Sequence, residues 1–353
     1  MTTTADAATA SPPSKPQHRG GWTHRLGLDK YSALYLWGGF MIFFGLTQDQ
    51  FLTATSFKLV LTEKVVVGVL ALAFLIPLTC DTFDLSIGHV MGFSMVITTA
   101  LAKNTGLPQG LNALIALAAC ALVGAVSGFI VVRLGVNSFI ATLGMSQVLT
   151  ALNILISGNR SISGVMSEGY KNFGRKKLMF GLPAYFYMLI LLAIICWYVL
   201  EQTPLGRYMF ATGGNREAAR LAGVKTNRLT WGSLVVSALI AGFAGLIHTW
   251  KVGTYDPGIG PANTFAAVAA VFFGASQLVR RPNVWGTLIA VYALAFGVKG
   301  LQLTFTKGIT WIEPAFQGTA LLLAVAFASR NNVIRVRRRK PPEAVAGTEQ
   351  YVA

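Results

Sequence analysis

Long apolar runs recur along most of the chain, and they constrain its fold more than any other feature. Several approach the roughly 20 residues that a helix needs to cross a bilayer. Only 12% of the residues are charged, whereas a soluble domain carries about a quarter. The sequence therefore predicts an all-α polytopic membrane protein, a bundle of about ten transmembrane helices. The apolar segments lie near 33–48, 58–79, 88–102, 111–132, 138–157, 183–200, 229–250, 262–279, 284–303 and 311–329.

The formal net charge of +16 is explained by membrane topology rather than by nucleic acid binding, because Lys and Arg collect in cytoplasmic loops. If the N-terminus is inside, 18 of the 29 Lys and Arg residues fall in inner segments. An even number of spans then places both termini in the cytoplasm. One loop argues against this orientation: 158–182 is basic but falls outside. Either that loop is basic and external, or the count before it is off by one span.

The pattern divides the chain into three regions. Residues 1–30 are rich in Thr, Ala, Ser and Pro and lack the apolar core of a signal peptide, which predicts a basic, disordered cytoplasmic tail. Residues 31–330 are predicted to form the transmembrane domain. Residues 331–353 begin with a basic cluster at the membrane surface and continue as a second cytoplasmic tail. The three cysteines have no spacing that suggests a metal or a disulfide framework.

Small residues recur four positions apart in several apolar segments. In lipid, this spacing lets helix backbones approach closely. It predicts close helix crossings at Gly88, Gly92, Gly124, Gly128, Ala238, Gly242 and Gly245.

The longest predicted inner loop, 203–228, contains a short helix of its own. Asn215 is a suitable N-cap, Glu217 suits the positive end of the helix dipole, and Gly223 can end the helix. A helix of about two turns is too short to be stable alone. Its alanines and Leu221 offer a small apolar surface flanked by basic residues. The physics alone allows two readings, a helix that docks on another protein or one that rests on anionic lipid.

The sequence of this loop resembles a known family. Residues 213–223, GGNREAARLAG, resemble the Glu-Ala-Ala…Gly loop of ABC-importer permeases, and residues 203–207, TPLGR, resemble the lead-in of the ribose/xylose-type branch. In that family the loop is a coupling helix that docks into a cleft of the cytosolic ATPase. The resemblance implies coupling roles for Gly214, Asn215, Arg216, Glu217, Ala218, Ala219 and Gly223.

A second stretch, FDLSIG at 83–88, resembles the Asp-Leu-Ser-x-Gly signature of the same permeases. A carboxylate at the edge of an apolar run is costly and suggests a functional site. Asp84 or Ser86 could equally cap the next helix, and a broken helix end can cap itself and line a cavity together. Pro77 is a candidate for the break.

A third stretch, NSFIATLG at 137–144, resembles the opening of the family's fifth helix. Ser138 is a candidate N-cap. Thr142 either faces the pathway or bonds back to its own helix, and the second is favoured. Asn137 and Thr142 complete, with Asp84 and Ser86, the set of candidate pathway residues.

No enzymatic or metal-binding pattern stands out. His89 and His248 have no partners at metal-ligand spacing, and no Ser/His/Asp or Cys/His arrangement is evident. The chain also has no P-loop motif, so no cofactor is expected and ATP hydrolysis would require another chain.

The leading hypothesis is the permease subunit of a bacterial ABC importer in the inner membrane, moving a monosaccharide. The resemblance implies a second permease subunit, identical or related, one or more cytosolic ATPase subunits and an extracytoplasmic binding protein. Permeases for branched-chain amino acids or nucleosides remain open. So does an ion-coupled secondary transporter that uses Asp81 or Asp84 as a relay.

Overall fold

The computed structural model describes residues 28–277, 281–305 and 309–322. This part of the chain consists of helices and connecting loops, without β-strands. In chain order the helices are α1 Leu28–Thr47, α2 Ala54–Glu63, α3 Val65–Leu78, α4 Ile87–Asn104, α5 Gln109–Arg133, α6 Ser138–Ser157, α7 Glu168–Arg175, α8 Ala184–Trp197, α9 Pro204–Gly214, α10 Arg216–Leu221, α11 Thr226–Lys251, α12 Ile259–Gln277, α13 Val284–Thr304 and α14 312–322. The all-α prediction is confirmed.

The predicted count of ten spans remains a prediction. Among the described residues, five helices are long and apolar enough to cross a membrane: α5, α6, α8 with its π-helical extension to Gln202, α11 and α13. Helices α2 and α3 together form a sixth candidate, bent by 40°. Trp37–Thr47 and Ile259–Ala275 are shorter apolar helices. The tail at 331–353 and all of 1–27 lie outside the described residues.

Helix α3 forms the centre of the bundle. Every residue from Val65 to Pro77 is buried, and the side chains are almost all aliphatic, so the helix has no polar face to turn toward water. It packs against α11, α12 and α13. Burial on all sides explains why this segment reads as a continuous apolar run rather than an amphipathic one.

Close helix crossings occur where the small-residue pattern predicts them. A Cβ added at Gly124 would lie 2.7 Å from the carbonyl oxygen of Leu234, so α5 and α11 touch through their backbones. Gly242 on α11 lies against Cys120, and Gly245 lies against Met91 on α4. These contacts make α11 the element on which α4 and α5 are assembled.

The basic loop 158–182 packs on one end of α11, opposite the end that follows 203–228. A Cβ at Gly174 of α7 would lie 2.6 Å from the Cβ of Trp250. The Arg175 guanidinium donates to the carbonyl oxygen of Lys251 at 2.7 Å. Helix α11 has 26 residues and is therefore about 39 Å long. The basic loop and the predicted coupling loop thus lie at opposite ends of the bundle.

Candidate coupling and pathway sites

The predicted coupling loop folds into two short helices, α9 and α10, separated by Asn215. The Thr203 side chain caps α9, and Pro204 occupies its first position, where a missing N–H costs nothing. Asn215 has extended backbone angles, and its Oδ1 accepts from the Ala218 N–H at 3.0 Å. Gly223 ends the turn with φ +84°, a conformation that favours glycine. The predicted helix, its N-cap and its terminator are all confirmed.

Helix α10 turns one small side chain inward and the rest outward. Ala219 is 6% exposed, whereas Leu221 is 81% exposed. Glu217 and Arg220 form an ion pair at 2.8 Å on the outer surface. Such an exposed pair adds little stability, because solvent screens it. The outward face therefore combines one free leucine, small residues and paired charges.

Three contacts fix the loop to the bundle. Arg216 donates to Oδ1 of Asn227 on α11 at 2.9 Å. Arg281, which precedes α13, donates to Glu201 at 2.6 Å, and its guanidinium lies 4.5 Å from the centroid of the Phe210 ring on α9. The third contact, made by Gly213, joins the loop to the segment that carries Asp84.

Gly213 approaches the turn after α3 so closely that no side chain fits between them. A Cβ there would overlap the carbonyl oxygen of Thr79 and lie 3.0 Å from the backbone nitrogen of Asp81. Gly214, the next residue, has nothing within 4 Å of such a Cβ. Loop 203–228 is therefore in direct backbone contact with residues 79–81.

Asp84 lies in the irregular segment between α3 and α4 and is only 2% exposed. Its Oδ1 accepts from the Ser86 N–H at 3.0 Å and from the Ser86 hydroxyl at 2.6 Å. Its Oδ2 accepts from the Ser237 hydroxyl on α11 at 2.7 Å. Both carboxylate oxygens are thus engaged. Asp84 bonds to Ser86, which occupies the N-cap position of α4 without a side-chain cap bond, and it ties this segment to α11.

Helix α6 holds the other side of the same segment. The Ser138 hydroxyl accepts from the Phe83 N–H at 3.0 Å, and the Thr142 hydroxyl accepts from the Leu85 N–H at 3.1 Å. Thr142 also bonds back to the carbonyl oxygen of Ser138 at 2.9 Å, as favoured from the sequence. The side chains of α6 therefore replace helix hydrogen bonds that the break after α3 removes.

Ser138 is not the N-cap of α6, which corrects the prediction. Asn137 takes that position, since its side chain accepts from the Phe139 N–H at 2.9 Å. Ser138 is the first helical residue, and its hydroxyl is used by Phe83 instead. Asn137 is exposed, unlike the other pathway candidates.

Asp84, Ser86 and Thr142 lie around the same segment, between α3 and α4. The predicted coupling residues of α10 do not contact them. Gly213 and Thr79 connect the two groups. The sequence reasoning missed the participation of Ser237, because nothing local marks a serine inside an apolar helix as a partner of a distant carboxylate. Asp81, the alternative relay, is exposed and has φ +55°.

Within the described residues, no three His, Cys, Asp or Glu side chains are grouped as a metal site would require. His89 and His248 are separate, and each has an Nδ1 without a hydrogen-bond partner. The contacts described above connect the exposed helix α10 to the irregular segment between α3 and α4.

The candidate spans indicate a polytopic membrane protein, and comparison with known proteins gives its family. The chain belongs to the family described as the branched-chain amino acid transport system / permease component, whose model matches residues 56–325. The resemblance to sugar-type ABC importer permeases is confirmed, and the chain is a multi-pass permease subunit.

Particular relatives are import permeases with sugar names. The chain is 31% identical over 268 residues to the fructose import permease protein of Rhizobium meliloti, covering 73% of each chain. It is 28% identical over 286 residues to the ribose import permease protein of Escherichia coli strain K12, covering 78% of this chain and 86% of the relative. It is 26% identical over 302 residues to the D-allose transport system permease protein of the same strain, covering 84% and 91%. No solved structure matches the chain.

Proposed function

We propose that this chain moves a monosaccharide into the cell as the transmembrane subunit of an ATP-driven importer. The relatives named above carry fructose, ribose and allose in their names, which favours a sugar over an amino acid or a nucleoside. Two copies of the chain, or one copy and a related subunit, would enclose the pathway. A binding protein would deliver the sugar at the outer face.

The observation that carries the coupling role is the exposed, doubly capped helix α10 in backbone contact with the Asp84 segment. A cytosolic ATPase would bind the outward face of α10, through Leu221 and the residues from Gly214 to Gly223. Closure of the ATPase pair would move α10 as a rigid body. Gly213 would pass that movement to Thr79 and so to the hydrogen-bonded segment 83–86.

Asp84, Ser86 and Thr142 would border the pathway when this segment moves, and Asn137 would lie at its edge. Their hydrogen bonds hold segment 83–86 in one arrangement. Opening of the pathway would then require several of these hydrogen bonds to change, rather than the movement of a single side chain. The engagement of both Asp84 oxygens disfavours an ion-coupled relay, because a relay carboxylate must exchange its partner during transport.

Reconstitution of transport tests this function. The chain would be placed in proteoliposomes with or without the ATPase and the binding protein, and uptake of radiolabelled ribose, fructose and leucine would be measured. We expect uptake of one sugar, and only with both partners and ATP. Uptake by the chain alone that collapses with a proton or sodium gradient would contradict the proposal, as would ATP-dependent uptake of leucine alone.

A further inference from the structure

A basic groove lies beside the coupling loop, at the end of α5 and the start of α11. It has a volume of about 450 Å³. Its lining residues are Phe129, Val132, Arg133, Asn227, Arg228 and Trp231. Transport as proposed above does not use this groove, and it opens on the surface of two helices long and apolar enough to span a membrane.

The groove contains two free positive charges. Arg133 and Arg228 are exposed, and within the described part of the chain neither guanidinium has a hydrogen bond or an ion pair. Other arginines nearby are paired: Arg220 with Glu217, and Arg216 with Asn227. Two unpaired guanidinium groups facing one groove repel each other, which a bound anion would relieve.

The apolar floor of the groove is rigid. Trp231 donates from Nε1 to the carbonyl oxygen of Ala125 at 3.1 Å, and Gly128 leaves room for its ring, since a Cβ there would lie 2.7 Å from Cδ1 of Trp231. Trp231 and Phe129 are nonetheless 43% and 52% exposed. An apolar floor within the membrane-spanning part and arginines at its end match a lipid, with chains below and a charged headgroup above.

We propose that this groove binds the phosphate of an anionic phospholipid in the inner leaflet, with Arg133 and Arg228 on the phosphate and Trp231 and Phe129 against the acyl chain. Basic pockets between transmembrane helices on the cytoplasmic side bind such headgroups. The planar guanidinium also matches phosphate geometry through paired hydrogen bonds. The proposal goes beyond transport and depends on the proposed orientation only for the choice of leaflet.

Occupancy of the groove would affect the coupling loop. Asn227, which lines it, accepts the hydrogen bond from Arg216 of α10. Arg228 also lines a second groove with Gly223 and Lys225, at the end of the α10 turn. A bound phosphate would therefore fix the side chains that hold α10 in place.

Native mass spectrometry of the purified full-length chain tests the site. The chain in detergent would be titrated with phosphatidylglycerol, phosphatidylcholine or inorganic phosphate. We expect phosphatidylglycerol to remain bound, and the R133Q/R228Q variant to bind it on the order of 30-fold more weakly, because each basic residue contributes roughly fivefold. R133K/R228K should keep part of the affinity, and R207Q, an exposed arginine of α9 outside the groove, should keep all of it.

Several results would overturn the proposal. The proposal would be wrong if R133Q/R228Q retained phosphatidylglycerol as well as the unchanged chain does. It would also be wrong if the unchanged chain bound phosphatidylcholine as tightly as phosphatidylglycerol. Binding of inorganic phosphate as tight as that of the lipid would assign the groove to free phosphate. Loss of ATPase association in R133Q/R228Q with unchanged lipid binding would assign it to the partner protein. Because both arginines are exposed, the variants are expected to fold, which a thermal melt would verify.

Discussion

At the scale of single residues, two adjacent glycines differ in their surroundings: one makes a close backbone contact and the other makes none. Gly213 lies against the carbonyl oxygen of Thr79, whereas Gly214 faces open space. Both residues are glycines at the end of α9, so their sequence context and helix propensity are nearly the same. Only the tertiary environment distinguishes them.

Gly213→Ala is expected to uncouple transport. The added Cβ pushes the coupling loop away from residues 79–81, at a cost of about 1–3 kcal/mol for overpacking. We expect sugar uptake to fall at least fivefold while the partner ATPase still binds and hydrolyses ATP. Gly110→Ala, at a helical glycine of α5 that also has nothing within 4 Å of an added Cβ, is the control and should transport normally in the same proteoliposome assay. Equal uptake by the two variants would show that the contact with Thr79 carries no movement.

Asp84→Asn is expected to fold and yet transport poorly. The amide oxygen can still accept from Ser86, and the amide nitrogen can donate to the Ser237 hydroxyl, so the network survives without its charge. Asp84→Ala, in contrast, leaves the Ser86 N–H unpaired and should lose about 1–3 kcal/mol of stability. Thermal unfolding and uptake are measured on both. Wild-type uptake by Asp84→Asn would leave Asp84 with a structural role alone.

At the scale of elements, α10 is a helix that the rest of the fold must hold. Six residues cannot sustain a helix alone, and here Asn215, Gly223 and the buried Ala219 supply the missing stability. The outward face, with Leu221, Glu217 and Arg220, consequently contributes little to the stability of the fold. Changes on that face should affect partners rather than folding.

Leu221→Asp and Glu217→Trp are expected to reduce ATPase association at least tenfold, measured by co-purification. An exposed substitution changes stability by only about 0.5 kcal/mol, so the folded protein should remain in the membrane. Phe180→Asp, at a residue that is 79% exposed in the loop at the other end of α11, is the control and should retain the ATPase. Unchanged association of the α10 variants would leave α10 as a helix resting on lipid.

At the scale of the whole molecule, the orientation in the membrane depends on the two loops at the ends of α11. Loop 203–228 and loop 158–182 lie at opposite ends of this helix, so they fall on opposite sides if α11 crosses the bilayer. Both are basic, which is why charge counting alone gives an ambiguous answer. If loop 203–228 is cytoplasmic, as the proposed function requires, loop 158–182 is basic and external.

Cysteine labelling tests the orientation directly. Cys80, Cys120 and Cys196 are buried, so the background with a membrane-impermeant maleimide should be low. We expect F180C to be labelled in intact cells with a permeable outer membrane, and L221C only after the inner membrane is opened. The reverse order would place the coupling loop outside and contradict the proposed function.

The sequence by itself determined the local features of this protein. Apolar runs predicted an all-α membrane fold, and Asn215 and Gly223 predicted the bounds of α10, because caps act on neighbouring backbone groups within one turn. The family resemblance also rested on short contiguous stretches, which can be recognised without knowing the tertiary structure. The span count stayed a prediction, since the short, broken and partly polar helices carry no clear length signal.

Only the tertiary structure decided which distant residues meet. Ser237 reaches Asp84 from 153 positions further along the chain, and Gly213 touches Thr79 because the end of α9 lies against the turn after α3. Ser138 binds Phe83 rather than capping its own helix, since the neighbouring segment presents an unpaired N–H. Such choices depend on helix packing, in which a serine or glycine gains its role from the surface that it faces.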